Sequence, residues 1–436
     1  MSQLLNPATH GDDHPKSYYV ATAHPMPEHP SLTGEVHGQV CVVGGGFSGV
    51  NTALELAERG FDVVLLEARR IGWGASGRNG GQLLRGIGHG TEPFRKVIGD
   101  EGVAAIDAMG FESVELVRER ITRYDIDCDL RMGYCDLANK PAHMKAFAEE
   151  KDWLQQQGYP HHVELVPRER LREVVGSTRY CGGMIDMGCG HLHPLNLLLG
   201  EAAAAVKLGV KIYEKSPVTR VERQADERYL VHTAEGTVQA EKVVLCGNAY
   251  VQGLHPVLEG KVLPAGSYVV ATEPLPESTC QRLLPGNHAV CDQRVDLDYY
   301  RLTPDRRLLF GGLCTYSGRD PKDIRAALRP NIKRVFPALG EVKLDYAWGG
   351  MIGIGANRMP QIGRLPDGIY HAQAYSGHGL NATHMAARVL AETISQESQR
   401  IDVFNRIPHM TFPGGRKLRS PLLALGMLYY RMKDLL

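Results

Sequence analysis

The 436-residue sequence lacks a bias of charge: 49 Lys and Arg residues balance 49 Asp and Glu. No general positive field exists to gather nucleic acid or anionic lipid, so a nucleic-acid partner is not expected. It also lacks a cysteine pattern. Nine cysteines are scattered with no CxxC pair. This excludes a disulfide framework or a zinc site as the organising principle, predicts no bound metal, and suits a reducing, cytoplasmic location. No apolar run approaches the ~18–20 residues of a membrane span. Met1–Lys16 has neither a basic n-region nor an apolar h-region, so no secretory leader is expected. Repeats and low-complexity tracts are missing as well. With 43% hydrophobic and 22% charged residues, the chain has the composition of a soluble globular protein, long enough for two domains.

What the chain has is glycine, 49 residues of it, placed at corners. Residues 1–36, rich in Pro, His and Gly, read as an arm over a domain surface or as a disordered tail. Gln39–Val43 (QVCVV) is an apolar run fit for a buried parallel strand. Gly44-Gly45-Gly46 follows at once, then apolar residues at helical spacing over 50–59, then a second strand, Asp62–Leu66, ending at Glu67. This is a βαβ unit with Gly44-x-Gly46-x-x-Gly49 between strand and helix and an acid 18 residues beyond Gly49, the context that a dinucleotide fingerprint requires. Gly44 suits the tight turn, Gly46 close approach to a pyrophosphate, and Gly49 close packing of helix on sheet. Free N–H groups of Phe47 and Ser48 at the helix start favour phosphate charge. Glu67, with Ala68 and Arg69 after it, can accept both hydroxyls of an adenosine ribose.

Glycine corners recur at Gly247-Asn248-Ala249 and at Tyr375–Gly379, each after a predicted strand. A single binding domain built from separated segments explains that recurrence. The expected fold is α/β with α+β character: a discontinuous Rossmann-like dinucleotide domain (37–95, 165–260 and 348–410) and a second, substrate domain on a mixed or antiparallel sheet (96–164 and 261–347). Residues 1–36 form the arm, and 411–436 a C-terminal segment.

The fingerprint alone does not choose between FAD and NAD. The next segment, Ile71–Gln82 (IGWGASGRNGGQ), can run flat against a large ring and point successive N–H groups at it. With Ser17-Tyr18-Tyr19, Gly190–Leu197 (GHLHPLNL), Gly247–Tyr250 (GNAY), Asp298–Thr303 (DYYRLT), Tyr375–Gly379 (YSGHG) and Phe412–Arg416 (FPGGR), it resembles the FAD-dependent amino-acid and amine oxidases of the D-amino-acid oxidase/glycine oxidase superfamily. Within that superfamily it is most similar to the bacterial γ-glutamylputrescine oxidases, from about Ser17 to the C-terminus.

The resemblance implies non-covalent FAD, held by the fingerprint residues already named and by Gly74, Ala75, Ser76, Asn79, Gly80, Gly81 and Gln82. It further implies Val218 with its backbone at the adenine, Gly247 closing over the cofactor, and Gly377, Gly379 and Leu380 at a helix start facing the flavin. There the helix dipole would stabilise charge that develops on reduction. It implies removal of hydride from a carbon beside an amine nitrogen, with the protein supplying orientation and an apolar pocket. The imine would hydrolyse to an aldehyde and ammonia, and oxygen or a respiratory acceptor would take the electrons, oxygen giving hydrogen peroxide.

Candidate pocket residues are Tyr299, Tyr300, Arg301, Tyr375 and His378. Arg301 suits a carboxylate, or is a structural ion-pair residue; His378 reaches the flavin or only caps a helix. Leu380-Asn381 stands where sarcosine-oxidase-like relatives place a carboxylate-binding Lys, which favours an amine whose acidic group lies further away, such as a γ-glutamyl head. Arg85 offers a second anion site and keeps an α-imino acid such as pipecolate open. A flavin-binding scaffold without turnover is the reading of another class. Basic residues around the apolar run 422–428 allow peripheral membrane contact, against a packed last helix or an oligomer contact.

Overall fold

The computed structural model describes residues 13–251, 253–294, 296–316 and 320–413. The membrane-contact reading of 416–436 lies outside these residues. Two sheets divide the strands. In the first, Gly34–Val43 is central. It pairs in parallel with Val63–Leu66 on one side and Gly236–Leu245 on the other. Lys211–Tyr213 and Tyr370–Gln373 extend the parallel set outward. Antiparallel Gln361–Arg364 closes one edge, and the hairpin Arg220–Arg223/Tyr229–His232 leans on Gly236–Leu245.

The period of two explains why the central strands are apolar throughout. Val40 and Val42, with Val63 and Leu65, face a layer of helices, whereas Cys41 and Val43, with Val64 and Leu66, face a second core on the other side. A strand buried on both faces has no position for a polar side chain. The helix layer consists of Phe47–Glu58, Arg95–Arg123, Pro194–Lys207 and Leu380–Ile394. Gly99, at φ 74°, breaks the second of these near its start.

Among the described residues the second sheet has nine strands, in the order Leu344–Ile354, Leu263–Thr272, Leu308–Thr315, Tyr299–Leu302, Ala289–Asp292, Arg131–Ala138, Gly182–His191, Gln82–Leu83, with Val163–Pro167 also on Gly182–His191. All its pairs are antiparallel except Ala289–Asp292 with Arg131–Ala138. Its core joins Tyr268, Tyr300, Phe310 and Phe336 with the helix Ile324–Val335.

Four placements differ from the sequence segmentation. Gly182–His191 and the 348–354 end of Leu344–Ile354, assigned to the dinucleotide part, pair in the second sheet. Gln82–Leu83 does the same, so the glycine loop before it crosses from one sheet to the other. The arm is integral to the body from residue 13 onward. Ser17 caps the short helix Tyr18–Ala21, and Tyr18 and Tyr19 are buried against Leu195, Leu309 and Trp348. Gly34 already belongs to the central strand.

Candidate functional site

The first glycine corner is shaped by steric exclusion. Gly44 has φ 117°, and a Cβ there would lie 2.8 Å from the Cys246 carbonyl oxygen. A Cβ on Gly49 would lie 1.8 Å from the Gly44 carbonyl oxygen, so helix and loop touch with no room for a side chain. Gly46 precedes the helix and provides no capping side chain. The Phe47 N–H instead donates to Ser76 Oγ at 2.9 Å, which brings the second glycine loop onto the helix start. The half-buried Glu67 carboxylate accepts from the Gly45 N–H at 2.5 Å and the Arg69 N–H at 2.8 Å. Burial raises its pKa, only partly offset by these two donors. Ala68 is exposed beside it, and half-buried Val218 packs on the core beneath the same strand ends.

The loop Gly74–Gln82 folds on itself through one side chain. Asn79 Nδ2 donates to the carbonyls of Ala75 and Ser76, and its Oδ1 accepts from the Gly81 N–H at 2.8 Å. Ala75, Ser76, Asn79, Gly80 and Gln82 remain partly accessible, whereas Gly77 and Gly81 are buried. Arg78 turns inward, stacks on Trp73 at 4.3 Å and donates to the Gly349 carbonyl.

Arg301 clamps this loop. Its Nε donates to the Gly80 carbonyl at 3.0 Å, and its Nη2 to the Leu192 carbonyl at 2.9 Å and the Tyr19 hydroxyl at 3.2 Å. At 2% exposure it is a structural fork rather than an open carboxylate receptor. The Tyr pair divides by strand alternation. The Tyr299 ring lies against Gly80 and Gly311, where added Cβ atoms would come within 2.5 and 2.1 Å of it. Tyr300 points to the opposite face, fully buried, stacked on Phe310 at 5.4 Å and bonded to the Tyr180 hydroxyl. The structure therefore brings Tyr299 to the glycine loop and leaves Tyr300 in the core.

The third corner is held in left-handed conformations at Ala374, Ser376 and Gly377, with φ of 64°, 55° and 89°. Asn248, which follows Gly247, accepts from the Ala374 N–H at 2.9 Å and so joins the second corner to the third. Tyr375 is buried, and its hydroxyl bonds Ser48 Oγ at 2.7 Å. It braces the fingerprint helix instead of walling a pocket. His378 Nε2 bonds the Arg85 carbonyl at 3.0 Å, and its pKa is lowered to about 4 by burial and then by His89 and Arg85. It is a neutral ring near physiological pH. Gly379 then starts the helix Leu380–Ile394, and Asn381 ties that helix to the Gly86 carbonyl at 2.8 Å.

The Arg85 guanidinium is engaged by Asp186 at 2.7 Å and Glu150 at 2.6 Å, so it is no open anion site. Near it, Asp136 accepts from Tyr134 and Gln293, and burial followed by the neighbouring Glu150 raises its pKa to about 7. Tyr134 packs with Cys189, Cys291, Leu84 and Tyr299. Reading the sequence missed this acidic group, because its members lie far apart in the chain and carry no spacing signal. It also missed the Tyr19–Arg301 contact, for which only the Ser17–Tyr19 motif was a hint.

These residues fit a dinucleotide. A Cβ at Gly44 or Gly49 would strike backbone at the corner, the helix Phe47–Glu58 starts there, and the Glu67 carboxylate stands at the end of the second strand. A family model described as FAD dependent oxidoreductase matches residues 39–393. The chain is 43% identical to the gamma-glutamylputrescine oxidoreductase of Escherichia coli (strain K12) over 423 residues, covering 97% of this chain and 99% of that protein. It is 39% identical to a probable oxidoreductase, OrdL, of Haemophilus influenzae (strain ATCC 51907 / DSM 11121 / KW20 / Rd), covering 97% and 98%. Among solved structures, L-proline dehydrogenase from P. horikoshii superposes with a TM-score of 0.70 at 23% identity, covering 85% of this chain and 96% of that one. With the fingerprint cradle and these matches together, the chain belongs to the FAD-dependent oxidoreductase family.

Proposed function

We propose that the chain oxidises the C–N bond of an amine bearing a remote acidic group, with γ-glutamylputrescine or a related γ-glutamyl-amine as the substrate class. The observation that carries this reading is the state of the two candidate anion sites. Arg301 is engaged by two carbonyls and a tyrosine hydroxyl, and Arg85 by two carboxylates. No guanidinium proposed from the sequence is thus left open for an α-carboxylate beside the reacting carbon. Glu150 and Asp186 already pair Arg85, and the buried Asp136 carboxyl beside them is raised to about 7, so this group leaves no spare positive charge for a second anion. The name of the Escherichia coli relative supports the same class.

When bound at the Gly44–Gly49 corner and the Gly74–Gln82 loop, FAD would supply the hydride acceptor, and oxygen or another acceptor would take the electrons. The chain's own residues orient and exclude water. Tyr299 lines the glycine loop with a flat aromatic face, the helix Leu380–Ile394 packs on Gln82–Leu83, neutral His378 stands beyond the loop on the Arg85 carbonyl, and Gln82 is fixed through its amide on the Val290 carbonyl at 3.0 Å. The oxidised amine leaves as an imine, which water converts to aldehyde and ammonia. The pipecolate reading rested on Arg85 and loses that support.

Anaerobic mixing of the yellow holoprotein with γ-glutamylputrescine, putrescine, pipecolate, proline and glycine tests the proposal. Flavin bleaching should be fastest, at micromolar to low millimolar substrate, with the γ-glutamyl amine. Faster bleaching by an α-amino or imino acid would replace this substrate class, and bleaching by none would leave a flavin-binding scaffold.

A further inference from the structure

Two helices start at the cofactor cradle, Phe47–Glu58 and Leu380–Ile394, and one buried carboxylate from a third helix ties their first turns together. Asn51 Nδ2 donates back to the Phe47 carbonyl at 2.9 Å and on to Glu201 Oε2 at 2.8 Å. In the other helix His384 Nδ1 bonds the Leu380 carbonyl at 2.6 Å, and its Nε2 bonds Glu201 Oε1 at 2.6 Å. The two arms are built alike. Each uses a side chain four residues into its helix to grip that helix's first carbonyl, and each ends on a different oxygen of the same carboxylate. Asn51, Glu201 and His384 are all fully buried, and the His384 ring lies 5.2 Å from Phe47. Apolar packing alone lets helices slide by fractions of an ångström, whereas hydrogen bonds of this length at both oxygens fix register and rotation.

We infer that Glu201 is a positioning residue: it sets the distance and rotation between the helix start that faces the pyrophosphate and the helix start that faces the flavin. It touches neither. Its effect on the cofactor runs through Asn51 and His384. The inference rests on the cofactor of the family and not on the substrate class proposed above.

The role is geometric, so an amide can fill it. The Glu201→Gln side chain can accept from Asn51 through its carbonyl and donate to His384 Nε2 through its NH2. The Glu201→Leu side chain can do neither. Apoprotein titrated with FAD, followed by flavin fluorescence, should show Glu201→Gln within about threefold of wild-type affinity. Glu201→Leu should be weakened by about 10- to 100-fold, the range expected for orphaning buried partners, with altered fine structure in the visible flavin band. Wild-type FAD affinity in a Glu201→Leu protein whose melting temperature has fallen would overturn the inference, since the residue would then be structural only. A Glu201→Gln protein as weak as Glu201→Leu would overturn it too, by making charge the operative property. Should Glu201→Leu fail to fold, Asn51→Ser and His384→Gln, made singly and together, give the answer. Their effects on FAD affinity should depart from additivity by more than about threefold although no hydrogen bond joins the two side chains directly; additive effects would refute the coupling.

Discussion

At the scale of single residues, the strand Tyr299–Leu302 divides its side chains between the glycine loop and the core of the second sheet. The stretch DYYRLT was recognisable, yet which of its two tyrosines meets the glycine loop depends on strand register. A strand alternates faces at every residue, so an error of one position exchanges core for cleft. Tyr299 meets Gly80 and Tyr300 is stacked on Phe310. Arg301 shares the face of Tyr299, and its long side chain reaches carbonyls that no local pattern reveals. Arg301→Leu should therefore act on the loop. Removing the fork leaves the Gly80 and Leu192 carbonyls short of a charged donor, a loss of about 2–4 kcal/mol. Thermal melting and FAD release on dilution should both worsen, with the apparent KM changing no more than kcat. A large rise in KM with stability and FAD retention intact would return Arg301 to a substrate-binding role.

At the scale of elements, the βαβ unit was legible because its constraints are local. Gly44 and Gly49 are dictated by contacts within one turn, and the apolar strands by burial on both faces. The polar interior of the helix layer was not legible. Glu55, 1% exposed, stands among Arg59, Arg120 and Arg388, drawn from three helices or their ends. Burial alone would raise its pKa, but the three guanidinium groups, Arg120 foremost, hold it below the ordinary range. A carboxylate in that position neutralises cations that the packing has already buried. Glu55→Leu should cost about 3–5 kcal/mol, because the arginines are left without their shared partner. Urea denaturation checks this, and a loss under about 1 kcal/mol would mean that water or Glu112 compensates.

At the scale of the whole molecule, burial of histidine decides the response to acid. His14, His378 and His409 have pKa values lowered to about 4, and His191, His193 and His371 to about 3, each chiefly by burial. A histidine whose folded pKa lies below its unfolded value stabilises the fold at neutral pH, and that contribution is lost as pH falls below about 6.5 and the unfolded chain takes up protons. Asp136, raised to about 7, and Asp298, raised to about 6, act in the opposite sense: they favour the fold as pH falls. His29, His89 and His288 are lowered as well, and Glu67, Asp107 and Asp129 are raised, so nine histidines oppose five carboxyls; the melting temperature should drop between pH 7 and pH 5, and His371→Gln should flatten the slope. A melting temperature that holds steady or rises over that interval would show the five carboxyls to dominate. No described helix is long and apolar enough to cross a membrane.

By itself the sequence determined the dinucleotide cradle, because it depends on what glycine permits within a few residues: a positive φ, a missing Cβ, a helix start left open; its motifs, spread along the chain, carried the resemblance to the family. Only the tertiary structure decided what the charged and aromatic side chains do. Arg85, Arg301 and Tyr375 looked available in one dimension, and each is bonded to a residue more than 100 positions away. Long side chains take their role from whichever partner folding brings within about 3 Å, and chain separation carries no information about that distance.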